Sequence, residues 1–185
     1  KTDSANILAQ RVGLGGAIND TMALEGYLVG ERDDNGDFGL QAYELELRWQ
    51  LIEQGRLWAD WGALFEFEKQ HDADAYEATT GFVIEKEFGR ASLTMNAFLV
   101  YEWGQDIQNE WESEFRAQYR YRYLSAFQPA VEVYLGEDFV GIGPGFIGLH
   151  RFDGQKQLKW EAGFITEISQ SEKNHSFRMA LEFEF

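Results

Sequence analysis

Cysteine is absent from the 185 residues, and proline occurs only twice. Without cysteine there are neither disulfides nor thiol chemistry. With so little proline, long hydrogen-bonded ladders can run uninterrupted. Long apolar runs are missing too: a charge breaks the hydrophobic stretches every second or third residue, and mean hydropathy is -0.41. That excludes a membrane-spanning helix. It does not exclude a membrane-spanning strand, which shows lipid only alternate side chains. Basic residues are scarce, 16 Lys+Arg against 32 Asp+Glu, for a net charge of -16. That argues against binding nucleic acid or anionic phospholipid through a basic face. No signal peptide is visible at Lys1, so the chain reads as already processed or trimmed.

What is present points to long strands in a single domain spanning residues 1–185. Aromatic residues make up 16% and glycines number 19. The last segment alternates without a break: Phe177, Met179, Leu181, Phe183 and Phe185 lie on one face, Arg178, Ala180, Glu182 and Glu184 on the other. The same period of two recurs upstream. Tyr43, Leu45, Leu47, Trp49 and Leu51 oppose Glu44, Glu46, Arg48 and Gln50. Leu57, Ala59, Trp61, Ala63, Phe65 and Phe67 oppose Asp60, Glu66 and Glu68. Leu93, Met95, Ala97, Leu99, Tyr101 and Trp103 oppose Thr94, Asn96 and Glu102. Phe115, Ala117, Tyr119, Tyr121 and Tyr123 oppose Glu114, Arg116, Gln118, Arg120 and Arg122. Leu158, Trp160, Ala162, Phe164 and Ile168 oppose Lys159, Glu161 and Glu167.

A soluble sandwich or a lipocalin-like barrel would also alternate. The segments here, however, run mostly ten to fifteen residues, against about five or six in soluble proteins. Their apolar faces carry aromatics near both ends, as interfacial girdles do. The expected fold class is all-β, an antiparallel transmembrane β-barrel of about 10–12 strands in the bacterial outer membrane. Lysine or arginine facing lipid costs about 2–4 kcal/mol at mid-membrane, so the charged face is assigned to the lumen. The expected lumen-lining set is Glu44, Glu46, Arg48, Asp60, Glu66, Glu85, Asn96, Glu102, Arg116, Arg120, Arg122, Glu132, Lys159, Glu161, Arg178, Glu182 and Glu184.

Short connections at Asn19-Asp20, Glu53-Gly55, Phe88-Gly89, Ser125-Phe127 and Asp153-Gly154 read as periplasmic turns. Longer polar ones, at residues 33–37, 70–75, 105–109, 136–141 and 169–174, read as outer loops. Their acids Asp33, Asp34, Asp37, Asp72 and Asp74 suit the divalent-cation layer of lipopolysaccharide, although solvated loop tips are the plainer account. The count is about eleven, whereas single-chain bacterial barrels have even numbers. Twelve follows if a strand precedes Ile7–Ile18. Ten follows if that segment is no strand, or if Gly141–Arg151 is a folded-in loop.

The stretch GPGFIGLHRFDGQKQLKWEAGFITEISQSEKNHSFRMALEFEF, from Gly143 to Phe185, resembles the C-terminal region of uncharacterised proteobacterial outer-membrane proteins often labelled putative transporters. AYELELRWQL and WADWGALFEFE upstream are similar to the same group. Phe177, Met179, Leu181, Phe183 and Phe185 also resemble the C-terminal assembly signal of outer-membrane barrels. That resemblance implies the barrel-assembly machinery as a partner during biogenesis, with outer-membrane lipid and lipopolysaccharide around the finished protein.

Chemistry is hard to find in this sequence. A lipid hydrolase on a barrel wall needs a serine beside a histidine. The adjacent pair His175-Ser176 points to opposite faces of a strand, so no enzyme is expected. His71, His150 and His175 are scattered, and His71 with Asp72 and Asp74 reads as solvated loop charge rather than a metal site. No cofactor is expected. Two readings of the lumen stay open. Its charges either form an ion-pair network that fills a closed structural or adhesion barrel, or they line a small passive channel for small solutes. Inward acids outnumber inward bases, so a pore would prefer cations or neutral solutes, with Arg116, Arg120 and Arg122 as a basic ladder.

Overall fold

A computed structural model of the chain describes residues 8–32, 36–137, 139–152, 156–169 and 174–185. Among the described residues there are eleven strands and no helix. They are β1 Ala9–Asn19, β2 Met22–Arg32, β3 Phe38–Gln50, β4 Asp60–Gln70, β5 Ala75–Phe88, β6 Ala91–Gly104, β7 Glu110–Tyr121, β8 Gln128–Leu135, β9 Val140–Arg151, β10 Gln157–Glu167 and β11 His175–Glu184. They follow one another in chain order in an antiparallel sheet. The fold is all-β.

Both routes to ten strands are closed. Residues Ala9 to Asn19 pair with β2 along their length. The segment Gly141 to Arg151 is laddered on both sides, to β8 and to β10. A folded-in loop would leave its backbone groups unpaired, whereas this segment spends them on two neighbours. Ile7, Asp33, Asp34, the Asp153-Gly154 turn and residues 170–173 lie outside the described residues.

Connection length does not divide into a short side and a long side. Residues 51–59 and 122–127 fall where tight turns were expected, yet they are longer than residues 71–74 and 136–139 opposite. The largest difference is at Leu57 to Ala59, which alternate like a strand but precede β4. The β3–β4 ladder begins only at Gln50 with Gly62. Gly55 holds φ at 75° and donates its N–H to the Asp60 carboxylate at 2.7 Å. That left-handed residue curls the segment back before it can pair. The tight turns that do form have local causes. Asn19 Oδ1 accepts from the N–H groups of Thr21 and Met22, each at 2.9 Å. Gly89 supplies the positive φ, 63°, of the two-residue β5–β6 turn.

The chain divides into two compact units. The first comprises Lys1–Leu51, Gly62–Phe82 and Phe98–Glu112; the second comprises Ile52–Trp61, Val83–Ala97 and Ser113–Phe185. Within each, the apolar sets of the strands are the exposed ones. In the first unit Val12, Leu14, Leu28, Leu45, Phe65 and Phe67 are open, while Glu46 is buried. In the second unit Tyr119, Val131 and Phe164 are open, while Glu132 is only 2% exposed. The apolar residues of β11 are open as well: Phe177 71%, Met179 64%, Leu181 64%, Phe183 51% and Phe185 86%. A water-soluble sheet has this pattern the other way round.

Candidate functional site

The charged faces carry two side-chain clusters, one in each unit. In the first, Arg11 of β1 pairs with Glu44 and reaches Glu66 at 3.1 Å and Glu46 at 3.6 Å. Its guanidinium lies over the Tyr27 ring, 3.6 Å from the centroid, a cation–π contact. Gly13 leaves the ring its room, since a Cβ there would run into it. Arg48 donates to Glu46 at 2.6 Å and sits 3.3 Å from Glu25, which also accepts from the Tyr27 hydroxyl. In a flat sheet β1 and β4 would lie about 14 Å apart, three spacings. One guanidinium meeting carboxylates on β3 and β4 therefore requires this part of the sheet to be concave on its charged side.

The second cluster centres on Glu132 of β8. Its carboxylate accepts from Arg178 Nη2 at 2.6 Å and Nε at 3.3 Å, from Gln118 Nε2 at 2.9 Å and from the Tyr134 hydroxyl at 3.1 Å. Four donors explain how a carboxylate can be buried here. Arg178 comes from β11, three strands away, and the route is cleared by small residues. Arg178 registers with Gly163, Gly163 with Gly145, and Gly145 with Ala130. A Cβ on Gly145 would stand 2.5 Å from Glu132 Oε1, and one on Gly163 would stand 3.1 Å from Arg178 Nε. Arg178 also lies 3.6 Å from Glu161, which Lys159 approaches at 3.2 Å. Beside this cluster is a recess of about 210 Å³, lined by Thr94, Asn96, Arg116, Gln118, Glu132, Tyr134, Glu161 and Arg178.

The expected basic ladder is present, with each member engaged. Arg116 pairs with Glu114 at 2.5 Å, Arg120 with Glu85 at 3.2 Å and Ser92 at 3.1 Å, and Arg122 with Glu87. Compared with models of protein families, with curated proteins and with solved structures, the chain matches none.

Of the residues expected in the lumen, Glu44, Glu46, Arg48 and Glu66 come together in the first cluster. Glu132, Glu161, Lys159 and Arg178 come together in the second, with Glu182 3.6 Å from Lys159. Asn96 and Arg116 line the recess. Glu85, Arg120 and Arg122 form their own pairs. Asp60 serves the 51–59 connection through Gly55, Glu184 accepts from Gln157, and Glu102 is half-buried on β6. Reading the sequence missed Arg11, Tyr27, Glu25, Ser92 and Glu87. Arg11 had a signal: it lies in phase with Gly13 and Gly15, opposite Val12 and Leu14, and is the one base of its strand. His175 touches Thr166 at 3.2 Å on the neighbouring strand, and Ser176 registers with Ile165.

Proposed function

We propose that the chain is a bacterial outer-membrane β-barrel protein acting as a small passive channel or transporter for small solutes. The observation that carries this reading is the inverted exposure of the strands. Leu45 and Val131 stand open while their neighbours Glu46 and Glu132, on β3 and β8, are buried; Phe177, Met179, Leu181 and Phe183 of β11 stand open as well. Leaving a large apolar side chain in water forgoes about 1.5–3 kcal/mol, and β11 alone presents four in a row. Lipid removes that cost, and it also suits the outward aromatics. In this reading the charged faces line the lumen and Phe185 closes the assembly signal read by the barrel-assembly machinery. Lipopolysaccharide surrounds the outer loops.

Flotation of refolded protein with phospholipid vesicles tests insertion; protein that stays in the soluble fraction would sink the membrane reading. Planar-bilayer recording tests the channel. A small conductance is expected, and folded, inserted protein that passes no current would overturn it.

A closed structural or adhesion barrel is the second reading, and one observation favours it: the described arginines of the charged clusters face carboxylates rather than open space. If those pairs are the plug, Glu132→Gln should raise conductance above that of the unaltered protein. An open channel should lose little or change selectivity instead.

A further inference from the structure

We infer that the recess beside Glu132 is a binding site for a small neutral polyhydroxyl solute. The inference rests on the passive-channel reading for how the solute arrives. It depends on how the lining side chains are already committed.

Size sets the first limit. About 210 Å³ is room for roughly seven waters at the ~30 Å³ that each occupies in the liquid. It is smaller than the pockets of about 300–1,000 Å³ that hold drug-sized ligands. A three- to five-carbon polyol fits, and an oligosaccharide does not.

Charge sets the second. The lining contains two bases and two acids, and each faces an opposite charge within the protein. Arg178 is held by Glu132 and lies near Glu161; Arg116 is paired with Glu114. A free ion would shed its hydration on entering and meet no uncompensated partner. Neutral solutes avoid that loss.

Hydrogen bonding sets the third. Asn96 Oδ1 is buried with no hydrogen-bond partner among the described residues. A buried acceptor left unmade costs the desolvation of that group, and a turn of the Asn96 amide toward the recess would let a solute hydroxyl remove the deficit. Thr94 adds a hydroxyl on the same strand face, two residues away. Hydroxyl groups both donate and accept, so a polyol satisfies Asn96 whichever way its amide is turned.

Saturation-transfer NMR on the protein refolded in detergent micelles tests this, with erythritol as the probe. Glycerate and serinol serve as an anion and a cation of similar size. Erythritol should receive saturation above a micelle-only control, and glycerol should compete for it. Asn96→Leu should weaken the binding about five-fold, the worth of one hydrogen bond. Thr94→Val, a near-isosteric change, provides a second variant should Asn96→Leu fail to fold, and should weaken it in the same direction. No transfer to erythritol, equal transfer to glycerate or serinol, or unchanged binding in the folded variants would overturn the site. Conductance without erythritol binding removes the site and leaves the channel. Erythritol binding without conductance supports the site and removes the channel.

Discussion

The two charged clusters solve opposite problems. Around Arg11, one cation is shared by three carboxylates, Glu44, Glu46 and Glu66, with a ring beneath it. Around Glu132, one anion is shared by the donors of Arg178, Gln118 and Tyr134. The first depends on a single positive group, because its other base among the described residues, Arg48, is turned to Glu46 and Glu25. The second is redundant, since Arg178 has Glu161 in reach and Glu161 has Lys159. Burial differs at the centres, Arg11 being 40% exposed and Glu132 2%, yet the more exposed centre should tolerate loss less well.

Removing Arg11 is the strongest way to expose this difference. Glu44 and Glu46 have side chains only 9% and 5% exposed, so Arg11→Ala leaves two neighbouring buried carboxylates without that cation. Stability should fall by about 2–4 kcal/mol, the range for an orphaned buried charge discounted for the partly exposed arginine. Urea unfolding from detergent or vesicles reads it, and an unmoved midpoint would show that water already compensates these acids. Adding Glu66→Gln to Arg11→Ala should recover part of the loss, because it removes one of the repelling charges.

Glu132→Gln should cost less, about 1–3 kcal/mol. The amide keeps the shape and one acceptor, and Arg178 turns toward Glu161. The same unfolding measurement ranks it against Arg11→Ala. A larger loss here than there would reverse the comparison. Smallest of all should be Lys159→Ala, whose own side chain is 44% exposed in its pairs with Glu161 and Glu182. A change within about 0.5 kcal/mol is expected, and anything above 1 kcal/mol would mean that Lys159 holds Glu161 in place for Arg178.

The strands were legible because alternation is a local signal. Glu44, Glu46, Arg48, Glu132 and Arg178 were placed on the charged face from their phase alone, and the registers of β3, β8 and β11 keep them there. Less visible was which charge meets which. Sequence reading pairs a residue with its nearest strand, as Gln118 pairs with Glu132. Arg11 and Arg178 instead reach two or three strands over, which requires curvature and an unobstructed path. Glycine spacing encodes that path, and it becomes readable only once registers are known. The alternation at Leu57 to Ala59 misled for a related reason: period two reports which way side chains point, and not whether the backbone has a partner. A single Gly55–Asp60 contact decided that locally.

The trough formed by Gly163, Gly145 and Ala130 has a consequence for the order of folding. Arg178 and Glu132 are 46 residues apart, so their contact forms only after the intervening chain has been laid down. A slip of β10 by one residue would bring Ala162 or Phe164 to the position of Gly163, on the wrong face. Phe164 there would fill the trough and keep the guanidinium from the carboxylate. The ion pair therefore closes only when β8 to β11 are in register.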